Sequence, residues 1–151
     1  MFNELLTNQM PGNGELYHSV NTADTDDVAA DQEELSREFL TSIQLPSLPP
    51  AHLRLKVGMP VMLLCNLRPS EGLCNGTRLV ITRLEQRLVE ARILTGEWKD
   101  TVHLIPRIDL HSALKELLFI LICHQFPIRP CFAMTVNKSQ GQSLNTVGLD
   151  L

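Results

Sequence analysis

Leu53-Arg54-Leu55-Lys56-Val57-Gly58-Met59-Pro60-Val61-Met62-Leu63-Leu64-Cys65-Asn66-Leu67 is the stretch whose reading decides the fold. Before it the chain is polar and acidic; from Leu53 onward it breaks into short β-type runs. Val61 to Cys65 is continuously apolar, as a buried strand is. Downstream, Arg78 to Leu84 is rich in β-branched residues. Leu88 to Leu94 puts Val89, Ala91 and Ile93 on one face and Glu90 and Arg92 on the other. Thr101 to Ile105 is a fourth strand, closed by Pro106. Pro69-Ser70-Glu71-Gly72, Asn75-Gly76 and Thr95-Gly96 supply the turns between them. Asn-Gly suits the positive φ angles of a tight hairpin. Strands at such spacing predict a small antiparallel barrel or curled sheet.

Outward from that block, residues 1–30 are poor in core-forming side chains and rich in Asn, Asp, Thr and Gly, which predicts a loop or mobile lead-in. Leu35, Phe39 and Ile43 recur every four residues, predicting a helix over 31–44 that stops near Pro46. Pro46, Pro49 and Pro50 make a stiff connector. On the other side, Ser112 to Leu118 reads as a short helix capped by Ser112. Phe119 to Cys123 and Cys131 to Val136 read as strands. A polar Gly-containing turn and an apolar run, Val147 to Leu151, follow, giving an α/β arrangement unlike the hairpin-rich middle.

Composition limits the function classes. With 44% hydrophobic and 20% charged residues in 151, the chain fits a globular core of one domain or two small ones. No run approaches the roughly 18 apolar residues of a membrane span. Met1 to Met10 lacks the pattern of a secretory signal, so an intracellular location is expected, nuclear in a eukaryote. Cys65, Cys74, Cys123 and Cys131 form no C-x-x-C pair, and His18, His52, His103, His111 and His124 are scattered, so no metal site is expected. The net charge of −4 is unevenly spread. Residues 1–50 hold nine acids and one base, and residues 51–151 hold eight acids and twelve bases. An acidic tail beside a polyanion-facing part has this pattern, and so does a solvated linker before an ordinary domain.

The chemistry concentrates in Phe132-Ala133-Met134-Thr135-Val136-Asn137-Lys138-Ser139-Gln140-Gly141-Gln142-Ser143-Leu144. An apolar strand delivers a dense polar group to its C-terminal end, where α/β sheets place ligands. Thr135 and Ser139 offer hydroxyls, Asn137 and Gln140 amides, and Lys138 a compact positive charge. Gly141 permits close backbone approach. These groups suit phosphate oxygens and sugars; a solvated turn is the plain alternative.

The segment resembles the Thr-x-His/Asn-Lys-Ser-Gln-Gly motif of superfamily 1B ATP-dependent DNA helicases, above all the Pif-like (petite integration frequency) family and its relatives in Helitron transposons. The Leu53 block and Glu71-Gly72-Leu73-Cys74-Asn75-Gly76-Thr77-Arg78-Leu79 are similar to the same family. So are Ile105-Pro106-Arg107-Ile108 and Gln125-Phe126-Pro127-Ile128-Arg129, in the expected order. The resemblance implies an α+β chain: a poorly structured acidic lead-in (1–34), an SH3-like antiparallel β-barrel or 2B domain (35–106), and a truncated piece of the second RecA-like α/β motor domain (107–151). It implies a fragment of a 5′ to 3′ DNA helicase whose partners are single-stranded DNA and an upstream motor half. Thr135, Asn137, Lys138, Ser139 and Gln140 would meet the DNA backbone, with Asn75 and Gly76 as an accessory turn and Gln140 and Gly141 near the nucleotide. ATP and Mg²⁺ serve the intact family enzyme. This chain has no G-x-x-x-x-G-K-[ST] loop, no Walker B strand and no arginine finger, so no catalytic residue, no cofactor and no ATPase activity of its own are expected.

Two departures stand out. Leu118 to His124 is apolar where relatives carry bases, and Pro130 stands where they carry an aliphatic residue. A non-enzymatic DNA- or protein-binding module and a non-functional transposon relic are the alternatives.

Overall fold

The computed structural model describes residues 2–24, 36–113, 117, 119–133, 146 and 148. Among them the fold is mostly antiparallel β with little helix. Helix α1 spans Phe2–Gln9, followed by strands β1 (Glu15–His18) and β2 (Val20–Asp24). Helix α2 (Arg37–Ser42) precedes β3 (His52–Leu55), β4 (Pro60–Leu63) and a single 3-10 turn at Pro69–Glu71. Then come β5 (Arg78–Leu84), β6 (Leu88–Ile93), β7 (Val102–Pro106), β8 (Ile108–His111), β9 (Ile120–Gln125) and β10 (Ile128–Pro130). They form a five-stranded sheet in the order β10-β4-β5-β6-β7, a three-stranded sheet β2-β9-β8 and a two-stranded ribbon β1-β3. All recorded pairings are antiparallel. The five-stranded sheet is open, ending at β10 and β7.

The apolar run in β4 has a simple cause: both of its faces are covered. Val61 and Leu63 enter the main core, while Met62 and Leu64 pack with Cys131 on the other side. In β6, by contrast, the expected alternation holds. Val89, Ala91 and Ile93 are essentially inaccessible, and Arg92 faces solvent. The expected strand over 78–84 coincides with β5. Its ladder slips by one residue at Thr82, whose hydroxyl bonds to Glu90 Oε1 at 2.8 Å.

The lead-in expected over 1–30 is, in its described part, a helix and two strands. β1 is held by β3 in the register Glu15↔Leu55 to His18↔His52. Tyr17 is the anchor: its ring stands edge-to-face on Phe126 with centroids 5.0 Å apart, and its hydroxyl donates to the Glu85 carbonyl at 2.9 Å. One buried aromatic and a borrowed partner strand therefore order a segment whose own composition predicts none.

The helix expected over 31–44 is confined, within the described residues, to Arg37–Ser42. Ser36 caps it by accepting from the Phe39 N–H at 3.1 Å. Its inward residue is Leu40, and Phe39, expected on the apolar stripe, is 48% exposed. Leu40 and Leu48 close a second core on the three-stranded sheet with Leu110, Leu121 and Cys123.

The short helix expected over Ser112 to Leu118 falls largely outside the described residues, and Ser112 itself bonds to β9. Its N–H donates to the Leu121 carbonyl and its hydroxyl accepts from the Leu121 N–H, both at 2.9 Å, extending the β8–β9 pairing. Residues 114–116 and 118 lie outside the described set. Of the strand expected over Cys131 to Val136, residues 131–133 are not in a strand and 134–136 lie outside the described set; the strand just before them is β10. β10 joins β4, so the five-stranded sheet draws on both sides of the 106/107 boundary. Pro130 is tolerated because β10 is an edge strand, and the next donor, Cys131 N–H, reaches the Pro60 carbonyl at 2.9 Å.

Candidate nucleic-acid interface

Thr135, Asn137, Lys138, Ser139, Gln140 and Gly141 all lie outside the described residues. The chain leading to them is firmly held. Phe132 packs against the main core. At Ala133 the backbone is bracketed by one side-chain amide: its N–H donates to Asn3 Oδ1 at 2.9 Å, and its carbonyl accepts from Asn3 Nδ2 at 3.1 Å. Helix α1 thus fastens the last described residue before the polar motif. Composition and periodicity gave no signal of that role for Asn3, because the contact joins residues 130 apart.

Asn75 and Gly76 are described, and their geometry differs from a tight two-positive hairpin. Gly76 has φ of 89°, whereas Asn75 does not enter positive φ. The Thr77 N–H closes the turn on the Cys74 carbonyl at 3.0 Å. A four-residue turn with glycine alone in the left-handed region is type II in character. It ends the long excursion between β4 and β5 rather than joining two strands directly. Asn66 Oδ1 receives the Asn75 N–H at 2.9 Å, and Thr77 Oγ1 receives the Cys74 N–H at 3.1 Å and donates to the Gly72 carbonyl at 2.9 Å. Asn75 itself is exposed.

Several bases counted toward a polyanion face are in fact structural. Lys56, only 7% exposed, donates from Nζ to the Met10 carbonyl at 2.7 Å. Arg129 reaches the carbonyls of Leu45 and Leu48 at 3.1 and 2.6 Å, and burial pulls its pKa below the usual arginine value. Arg107 donates to the His18 carbonyl at 3.0 Å and lies 5.7 Å from the Tyr17 ring centroid and 5.3 Å from that of Phe126. Arg68, Arg83 and Arg92 pair with Glu71, Glu85 and Asp100. Among the described residues this leaves Arg54, Arg87 and Lys99 as exposed bases of the β region without an ion pair or side-chain hydrogen bond. Charge counting along the chain therefore overstates the phosphate-facing charge.

Cys65 and Cys123 are thiols held above their ordinary pKa, chiefly by burial. Among the described residues no group of three or more His, Cys, Asp or Glu is arranged to hold a metal. No helix among them is long and apolar enough to cross a membrane.

Comparison with known proteins agrees with this architecture. Residues 38–84 match the family model for the 2B domain of the DNA helicase Pif1, a segment running from α2 through β5. The ATP-dependent DNA helicase PIF1 of Rattus norvegicus is 32% identical over 152 residues, covering 99% of this chain and 21% of the relative. The chain thus spans about a fifth of that relative's length. The crystal structure of Pif1 helicase from Candida albicans superposes with a TM-score of 0.67 at 22% identity, over 96% of this chain and 35% of that one. Bacteroides Pif1 bound to single-stranded DNA superposes at 0.61 with 24% identity, over 93% of this chain and 30% of that one. The chain is therefore related to the Pif1 DNA helicases, and residues 38–84 match the model of their 2B domain.

Proposed function

We propose that this chain supplies single-stranded DNA contacts to a Pif1-type 5′ to 3′ helicase, with residues 35–106 acting as the SH3-like 2B unit and 107–151 as part of the second motor domain. Thr135, Asn137, Lys138, Ser139 and Gln140 meet the sugar-phosphate backbone, Gln140 and Gly141 sit toward the nucleotide, and the Asn75–Gly76 turn is an accessory contact. Lys138 neutralises one phosphate, and the small polar groups hydrogen-bond without reading sequence. ATP and Mg²⁺ are handled by an upstream motor half, because this sequence has no phosphate-binding loop. In a eukaryotic cell the protein works in the nucleus.

The observation that carries the reading is the match to the 2B domain over 38–84, followed in the same chain by Thr135-Val136-Asn137-Lys138-Ser139-Gln140-Gly141. The Asn3 clamp on Ala133 supports it by fixing the segment from which that turn departs. Bacteroides Pif1, a structural neighbour, has been seen on single-stranded DNA.

Fluorescence anisotropy with a labelled oligo-dT over a salt series tests the proposal. Affinity falls with salt, and Lys138→Ala lowers the log–log slope by about 0.7, one phosphate's worth for a single strand. Equal slopes for the two proteins, or no binding at low salt, overturn it. The purified chain hydrolyses ATP no faster than Lys138→Ala.

A further inference from the structure

The five histidines show no metal-ligand spacing along the chain, yet folding brings two of them together. His18 ends β1 and His52 opens β3, and the ladder sets them directly opposite each other. Their Nδ1 atoms are 2.9 Å apart, and the rings stand nearly perpendicular at 83°. Both side chains are exposed, so the pair does not serve to fill a core. A contact between two Nδ1 atoms needs one N–H and one lone pair, so one ring donates and the other accepts. The backbone that holds them is anchored. Tyr17, next to His18, is buried on the opposite face of β1, and Leu53, next to His52, is fully buried.

From this geometry we infer that His18 and His52 form a two-imidazole site for a divalent transition metal of the copper(II) or nickel(II) type. Two nitrogens 2.9 Å apart, each about 2.05 Å from a shared ion, subtend an angle of about 90° at it. That is the cis angle of a square-planar or tetragonal centre, which copper(II) and nickel(II) prefer. A tetrahedral zinc centre needs a wider nitrogen separation, about 3.3 Å, and further protein ligands, of which none is grouped with the pair among the described residues. Small turns of the rings about χ2 aim both lone pairs at the ion, and the cross-strand pairing of His18 with His52 keeps the two nitrogens close as they turn. The Nδ1 proton moves to Nε2 through solvent, so no net proton is released. Water fills the other positions, since no third His, Cys, Asp or Glu is grouped with the pair among the described residues. Two neighbouring cations temper the affinity. Arg54 shares the exposed face of β3 with His52, and Arg107 holds the His18 carbonyl from the side of the Tyr17 ring. Removing one imidazole abolishes the chelate and weakens binding about 100-fold, the lower range of the advantage of a second linked contact.

Titration of the purified full chain with copper(II) and nickel(II), followed by calorimetry and by electron paramagnetic resonance of the copper form, tests the site. One equivalent of copper(II) carrying two nitrogen couplings is expected. It is lost in His18→Ala and His52→Ala and retained in His124→Ala, whose ring instead pairs with Asp109. Nickel(II) raises the thermal midpoint of the parent chain but not of either variant, and zinc(II) binds more weakly. Copper binding of unchanged strength and spectrum in His18→Ala and His52→Ala means adventitious binding only and overturns the inference. So does a zinc(II) affinity exceeding that for nickel(II).

Discussion

Cations bound to backbone carbonyls tie this small β structure together at the level of single residues. Arg129 is the clearest case, because one guanidinium nitrogen serves the carbonyls of both Leu45 and Leu48 in the proline-rich connector. Arg129→Met leaves those acceptors without their donor and costs about 2 kcal/mol, the usual worth of a hydrogen bond to a charged group. A urea midpoint unchanged from the parent would refute that role. Cys123 gives a pH dependence. Burial raises its thiol pKa above the unfolded value, outweighing the Ser19 hydrogen bond and Arg107, which lower it. Its contribution to stability is therefore complete below the ordinary thiol pKa of about 8.5 and is lost as pH rises through the higher folded value. Cys123→Ala flattens the loss of stability above that pH, and iodoacetamide at pH 8 leaves Cys123 unmodified in the native chain while labelling it in urea. Rapid labelling of native Cys123 would contradict the burial argument.

At the scale of elements, the excursion between β4 and β5 depends on two left-handed glycines. Gly76 takes φ of 89° in the turn, and Gly72 takes 82° after the 3-10 turn. Gly72 is doubly constrained, since a Cβ there would stand 2.6 Å from Trp98 Cγ and Cδ1. Gly72→Ala is expected to destabilise by about 2 kcal/mol from the left-handed conformation alone and to shift Trp98 fluorescence as the indole is displaced. Parent-like stability and emission would show that the loop repacks freely.

Those elements were unequally legible from sequence. β5 and β6 could be read because their alternation and β-branched content are local, and β4 because an uninterrupted apolar run records burial on both faces. β1 and β2 could not, since their order comes from pairing with β3 and β9, and a register between segments 34 residues apart, as at His18 and His52, or farther, as at Val20 and His124, leaves no local trace. The His18–His52 pair was invisible for the same reason. Phe39 misled because its spacing fits a stripe that the short, Ser36-capped helix does not present inward.

At the scale of the whole molecule, three antiparallel sheets among the described residues share two principal cores. The main core gathers side chains from β1, β3, β4, β5, β6, β7 and β10. The polar motif from Thr135 to Gly141 follows the clamped backbone at Ala133, and its functional reading rests on resemblance and residue chemistry. The clamp fixes the backbone at Ala133, two residues before that motif. Ultraviolet crosslinking of the chain to oligo-dT, with the attachment sites mapped by mass spectrometry, tests the central claim most directly. Crosslinks within residues 132–141 that diminish in Lys138→Ala are the predicted result. Crosslinks confined to the loops carrying Arg87 and Lys99, unchanged by that substitution, would contradict it.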